Sequence, residues 1–289
     1  MRRRSFITLV LLLGVVIALL VPLDEAALAL HKESLTRSVG AFALAKGLNA
    51  VISLLQGTEI SASAGIGITI TVGELLDPMN DMVERFSWIM LAASVSLAIQ
   101  ELLLSVGELA WIKISLAAVA LLFVASLWYA PLQRRLSTAL MLRAAIILVI
   151  LRFGAAGFVY AEQQIYTHLM EPKYNESVAV LQATEKELDT LATINREEAK
   201  NAESEGFFDS MSRTYDKAKG YFDFESRLAS LGDTIQEAQE QIIRLITIFV
   251  TLNILLPLLF AWITISLFKW TLVGRIDKEA LHDWLYLGR

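Results

Sequence analysis

Apolar residues of this chain are gathered into five long runs, separated by stretches that are richer in polar residues. The runs cover 6–21, 86–106, 109–129, 139–161 and 246–268. A helix needs ~20 predominantly apolar residues to cross a bilayer. The pattern therefore predicts a mainly α, multi-span helical membrane protein. Only two residues separate the second and third runs, which predicts an antiparallel hairpin and, with the fourth run, three transmembrane helices within 81–161.

The first run has two interpretations. Three arginines at 2–4 precede it, and Ala27-Leu28-Ala29 follows it as a small-residue cleavage site, as in a secretory signal. The run is at the long end for a signal core, which favours a retained signal-anchor helix over 1–30. In either case the N-terminus starts in the cytoplasm.

The segment 31–80 combines an amphipathic helix, expected at 33–56, with the most regular short pattern in the chain. Over 60–73 apolar and small polar residues alternate with period two, which predicts a β-strand. Its apolar face is Ile60, Ala62, Ala64, Ile66, Ile68, Ile70 and Val72, and its other face includes Ser61, Ser63, Thr69 and Thr71. No comparable second strand exists, and strand backbones need partners. Pairing between subunits, with the Ser/Thr face lining a lumen, is therefore favoured over a small surface hairpin.

The segment 162–245 is polar and acidic. Between Glu162 and Gln241 there are 17 acidic and 8 basic residues. Apolar residues alternate three and four apart in its second half, at Leu228, Leu231, Ile235, Ala238, Ile242 and Leu245, which predicts an antiparallel coiled-coil hairpin standing outside the membrane. Its tip, 205–224, is expected either to bind a partner through Phe207, Phe208, Tyr221 and Phe222 or to pack these aromatic side chains against its own end. The acidic charge argues against nucleic acid as a partner.

Basic residues conflict with a count of five crossings. Starting from a cytoplasmic N-terminus, five crossings place Arg134, Arg135 and Arg143, and the basic residues of the tail, outside the cytoplasm, against the positive-inside rule. One more crossing within 33–76 removes the conflict. Either the strand crosses as part of a multi-chain barrel, or a helix crosses at 47–73; otherwise no further crossing exists and the charge bias is weak.

Two charged residues interrupt the apolar runs and are candidate site residues, because charge in a bilayer is costly. Glu101 and Arg152 each lie 14 residues into their helices, ~21 Å along them. We therefore predict a buried Glu101–Arg152 ion pair with Gln100 beside it, serving either as a structural pair or as part of an ion path. Gly154 and Gly157 are expected to allow close helix approach.

No pattern in the chain points to catalysis. Cysteine is absent, and the three histidines lack metal-ligand spacing. A phosphate-binding loop and a nucleophile elbow are also missing. We therefore expect no catalytic residues, no metal and no cofactor.

Two functions fit these observations. The first is a non-enzymatic, homo-oligomeric membrane assembly that is channel-like or ring-forming. The second is a scaffold or sensor subunit of a cell-envelope complex, which docks an envelope protein through the coiled-coil stalk. In both cases we expect a bacterial inner membrane, a periplasmic stalk, and a last segment, 246–289, made of a transmembrane helix and a cytoplasmic amphipathic tail.

Overall fold

The computed structural model describes residues 2–21, 23–62, 72–129, 132, 138–204 and 213–273, and the side chains of 5–21, 23–56, 76–129, 132, 139–193, 196 and 232–273. Nearly all of these residues are helical and none of them is in a strand, which confirms the mainly α fold. In chain order the elements are α1 (Arg2–Leu20), α2 (Leu23–Ala62), α3 (Val72–Glu108), α4 (Ala110–Trp128), α5 (Thr138–Ile165), the π-helical turn π1 (Tyr166–Met170), α6 (Glu171–Ser204), α7 (Arg213–Val250), the π-helical turn π2 (Thr251–Leu255) and α8 (Leu256–Val273).

Five of the described helical stretches are long and apolar enough to cross a membrane. They are Leu23–Gln56, Leu76–Glu108, Ala110–Trp128, Ala139–Thr193 and Gly232–Val273, and a shorter apolar helix covers Ser5–Leu20. These lengths fit a multi-pass membrane protein.

The chain divides into two compact units. Unit 1 comprises Met1–Leu35, Val95–Ile165 and Leu252–Arg289, and unit 2 comprises Thr36–Ser94 and Tyr166–Thr251. Each unit collects separate stretches of chain, whereas the predicted domain boundaries followed chain order.

Unit 2 is an antiparallel four-helix bundle. Its core takes apolar side chains from α2 and α3 as well as from α6 and α7, including Leu48, Phe86, Leu181 and Ile242, all of them fully or almost fully buried. The chain directions follow from contacts between neighbouring helices. Gln56 at the end of α2 donates to Asp77 at the start of α3, and Ser38 donates to the carbonyl of Met90.

The predicted two-helix stalk is therefore part of a larger bundle. Helices α6 and α7 do run antiparallel, because Ser177 donates to Gln241 and Arg244 pairs with Glu176 at 2.8 Å. However, the spaced residues of α7 from Ile235 to Leu245 share one core with α2 and α3. Each helix in unit 2 has an apolar face wider than one partner can cover, and the additional helices bury the rest.

The predicted strand is wrong at both of its ends. Ile60, Ser61 and Ala62 belong to α2, and Val72 is the first residue of α3. The remaining predicted positions, Ala64, Ile66, Ile68 and Ile70 with Ser63, Thr69 and Thr71, lie outside the described residues. Small residues such as alanine and serine follow either backbone conformation, so tertiary packing along α2 and α3 outweighs a local period-two pattern.

Unit 1 contains four helical arms. Arm A is 5–35, arm B is 95–128, arm C is 138–165 and arm D is 252–273. Arms A and B run in opposite directions, because Thr8 accepts a hydrogen bond from the indole of Trp128, whereas His31 contacts the carbonyl of Leu97.

Arm B continues in one direction through its break at Leu109, so the predicted hairpin between the second and third apolar runs is wrong. In α4, Lys113 lies level with Arg152 of arm C, and Leu127 clusters with Met141. In the last turns of α3, Gly107 lies against the backbone of Arg152, and residues earlier in α3 lie beside later residues of arm C. Both parts of arm B therefore run antiparallel to arm C, and hence parallel to each other.

Candidate functional site: a buried ion cluster

The most deeply buried charge in the described part of the chain is Arg152 in arm C. Its side chain has an exposed fraction of 2%, and its guanidinium Nη1 lies 2.7 Å from Oδ1 of Asp24, which is 4% exposed. Asp24 lies in the first turn of α2, where the helix dipole favours a negative charge. Burying either charge alone would cost several kcal/mol, roughly, so the pair is what allows both to be buried.

Arg152 also completes the hydrogen bonding of a helix end. In a continuous helix the carbonyl of Ala18 would accept from the N–H of residue 22, but that residue is Pro22, which has no N–H. The Nε of Arg152 donates to the Ala18 carbonyl at 3.2 Å instead. Because this carbonyl is buried and an unsatisfied buried acceptor is costly, this replacement allows arm A to break there.

A second cation reaches the same carboxylate from arm B. Lys113 Nζ lies 3.7 Å from Oδ2 of Asp24, and its side chain is partly exposed. Lys113 is in the first turn of α4, directly after the break at Leu109, where no side chain caps the helix. The ion cluster Asp24–Arg152–Lys113 therefore links arms A, B and C at the level where arms A and B both interrupt their helices.

The predicted partner of Arg152, Glu101, does not contact it. Gly107 is the residue of α3 that lies at the level of Arg152, so Glu101 is six residues, ~9 Å, further along the arm. The equal-depth argument assumed that α3 and α5 are parallel, and the continuous arm B makes them antiparallel. Glu101 is half-buried, and its carbonyl accepts from Ser105.

Close helix approach occurs at a glycine that the sequence did not single out. A Cβ on Gly107 would lie 3.3 Å from the carbonyl oxygen of Arg152 and 3.4 Å from that of Leu151. At Gly157 a Cβ would have nothing within 4 Å, and at Gly154 it would make ordinary contacts. Gly107 therefore sets the spacing between arms B and C beside the ion cluster.

A second proline-freed carbonyl is satisfied in arm D. Pro257 has no N–H to give to the carbonyl of Asn253, its ordinary partner in an α-helix. The hydroxyl of Ser96 in arm B donates to that carbonyl across a short hydrogen bond. At both prolines, therefore, a side chain from another arm donates a hydrogen bond to the carbonyl that the proline leaves without its usual N–H donor.

Gln100 lies beside this second contact. It is 7% exposed, its Nε2 lies 3.4 Å from the Ser96 hydroxyl, and its Oε1 has no hydrogen-bond partner among the described residues. It borders a cavity of 30 Å³ between arms B, C and D, whose other walls are Leu103, Ala155, Phe158, Val159 and Phe260. A cavity of this size holds about one water molecule.

The predicted partner-binding residues at the tip lie largely outside the described part of the structure. Phe207 and Phe208 lie outside the described residues, and Tyr221 and Phe222 lie in α7, with side chains outside the described set. Among the described residues no group of histidine, aspartate and glutamate side chains is arranged to hold a metal ion.

Asp24 is the functional residue that sequence reasoning missed. A signal was present, because Asp24 follows an apolar run and a proline, and a carboxylate at a helix start is a natural partner for a buried cation. The sequence alone offered several acidic residues near apolar runs, and the packing of arm A against arm C selected this one.

The cluster's chemistry is that of a structural connection. Its carboxylate is shared by two cations, and a buried apolar cluster joins the same three arms through Ala27, Leu104 and Ala156. Comparison of the chain with protein-family models, curated proteins and solved structures found no match.

Proposed function

We propose that the chain is a non-enzymatic, membrane-anchored scaffold or sensor subunit that docks an envelope protein through unit 2. The observation that carries this proposal is continuity. Helices α2 and α3 each contribute buried residues to both units without a break: Ala27 and Leu48 in α2, and Phe86 and Leu104 in α3. The chain therefore joins unit 2 to the anchor through helical segments.

The four arms of unit 1 support a topology with four crossings. The N-terminus, the basic residues Arg134 and Arg135, and the C-terminal tail then share the cytoplasmic side. The acidic segment 162–241 is extracytoplasmic. This arrangement obeys the positive-inside rule without the additional crossing within 33–76, because the second and third apolar runs belong to one arm.

Arm A is proposed to be a retained anchor. Ile7 and Leu11 pack against Phe123 and Leu127 of arm B, and the Ala18 carbonyl is held by Arg152. Cleavage after 29 would remove these contacts together with Asp24, and it would leave Arg152 buried without its anion.

The ring or channel hypothesis has lost its main support. It rested on pairing of the strand between subunits, and the ends of that segment are helical. In the described part of unit 1 the buried charges of Arg152 and Asp24 pair with each other, and the cavity between arms B, C and D is small and apolar. These features favour a solid anchor over a conduit.

Site-specific photocrosslinking in intact cells tests the docking function. A photoreactive phenylalanine analogue replaces Phe207 or Phe222, which is a conservative exchange, and a control carries it at Leu121, exposed on α4. We expect adducts with one defined second protein from the two tip positions and none of that species from the control.

Two results would overturn the proposal. The first is that adducts from the tip contain only further copies of this chain, or that none form although unit 2 resists proteolysis. The second is a large homo-oligomeric ring in native mass spectrometry, which would reinstate the channel-like hypothesis.

The topology has its own test, because the chain contains no cysteine. With Arg135→Cys and Glu187→Cys as separate variants, a membrane-impermeant thiol reagent added to intact cells should label residue 187 and leave residue 135 unlabelled. Labelling of residue 135 from outside would exclude four crossings.

A further inference from the structure

Helix α3 has two opposite faces within unit 1 that are largely apolar. One face, Leu97, Gln100, Leu104 and Gly107, is buried against the other arms. The opposite face carries Val95, Ile99, Leu102 and Val106, with exposed fractions from 39% for Val106 to 69% for Leu102, and the exposed Leu109 follows at the break after the helix. Both faces repeat with spacings of three and four, so the chain covers one heptad stripe of this helix and leaves the other open.

Lipid does not account for the open stripe, because the neighbouring arm exposes charges at the same level. His31 of arm A contacts the carbonyl of Leu97, and Ala27 clusters with Leu104, which fixes the level. Around these residues arm A exposes Glu25, Lys32 and Glu33. Three exposed charged side chains within ~12 Å of helix are unfavourable in hydrocarbon.

The area and the residue types of the stripe fit a second copy of this chain. With Leu103 at its side, the stripe exposes roughly 550 Å² of apolar surface, so two copies facing each other bury roughly 1,100 Å², enough for a specific interface. Ile99 and Val106 occupy a positions, and Leu102 between them occupies a d position. β-Branched residues at a with leucine at d favour parallel two-stranded coiled coils.

Membrane insertion and side-chain size agree with this arrangement. Two copies in one membrane share one orientation, so their α3 helices are parallel when related by a two-fold axis along the membrane normal. The flanking residues Ala98 and Ser105 are small and exposed, and they allow close approach.

We propose that the Val95–Val106 face of α3, with Leu109 directly after the helix, is a homodimer interface, which pairs with the same face of a second copy as a parallel coiled coil. It is independent of the proposed docking function, which concerns residues 205–224, so either proposal can fail without the other.

Disulfide trapping in native membranes tests the interface in the full-length chain, which has no cysteine of its own. Ile99→Cys and Leu102→Cys place thiols opposite their own copies across the two-fold axis, where a disulfide requires Cα atoms within ~7 Å. Glu108→Cys is the matched control, since Glu108 is exposed on the same helix but points away from the stripe. We expect mild oxidation to give several-fold more covalent dimer at 99 and 102 than at 108.

Each alternative result overturns the proposal. Equal dimer at all three positions indicates random collision, and no dimer at any of them indicates that lipid, another protein or another segment of this chain covers the face. A second measurement covers the case in which a cysteine variant alters folding. In native mass spectrometry, Leu102→Lys, a change at an exposed position, should lower the affinity of the dimer by at least ~10-fold and leave the monomer folded. An unchanged dimer would contradict the interface.

Discussion

Replacing Arg152 with methionine is the most direct test of the ion cluster. Methionine has a similar length but no donor, so Asp24 keeps only Lys113, at 3.7 Å and partly in solvent. A buried charge that loses its partner costs about 3–5 kcal/mol. The Ala18 carbonyl also loses its donor, and an unsatisfied buried acceptor costs about 1–3 kcal/mol. Since the two losses share one side chain and partly relax together, we expect a total near the upper end of the first range, about 4–5 kcal/mol.

Further variants separate the two losses. Arg152→Lys keeps a cation for Asp24 but cannot also serve the Ala18 carbonyl, so about 1–3 kcal/mol is expected. The double variant Asp24→Leu/Arg152→Met removes both charges and should recover to within about 2 kcal/mol of the parent, with the carbonyl still unsatisfied. Glu101→Gln is the control and should change the free energy of unfolding by less than about 0.5 kcal/mol.

The free energy of unfolding is measured by titrating purified protein from mild detergent into SDS and following tryptophan fluorescence. If Arg152→Met lies within about 0.5 kcal/mol of the parent, or the double variant is worse than either single variant, the ion pair does not hold the arms together. If Glu101→Gln is as destabilising as Arg152→Met, the pairing of Arg152 with Asp24 is wrong.

Two further predictions concern the contacts between arms. Gly107→Ala should lower the free energy of unfolding by about 1–3 kcal/mol, because the added Cβ meets backbone atoms that cannot move aside. Gly157→Ala has open space around its Cβ and should raise the free energy of unfolding by up to about 1 kcal/mol through helix propensity. Equal effects of the two variants in the same SDS titration would contradict the close approach of arms B and C at Gly107. Ser96→Ala should cost about 1–3 kcal/mol in the parent and clearly less in a Pro257→Ala background, where residue 257 supplies its own N–H to the carbonyl. Additive costs in that double-mutant cycle would show that the Ser96 hydroxyl does not replace the N–H donor that Pro257 lacks at the Asn253 carbonyl.

Sequence reasoning predicted the helical class because long apolar runs and three-four spacing are local signals. The alternating pattern misled for the same reason at its two ends, Ile60–Ala62 and Val72, since a period-two pattern is also local and small residues fit either conformation. The pair of Glu101 and Arg152 was inferred from equal depths along two helices. That inference assumed a hairpin between α3 and α4. Because the break at Leu109 is only one residue long and the chain keeps its direction there, α3 runs antiparallel to α5 instead of parallel to it.

The sequence alone therefore determined which segments are long apolar helices and that Arg152, inside one of them, needs a partner. Both follow from the cost of desolvating each residue, which depends on its type and not on its neighbours in space. Tertiary packing alone decided which carboxylate neutralises Arg152, which glycine admits a neighbouring helix, and which carbonyls freed by proline find a donor. These choices depend on which arms are neighbours and how they align, and a one-dimensional pattern fixes neither. The sequence indicates that the buried Arg152 needs an anionic partner, and the alignment of arms A and C places Asp24 beside it.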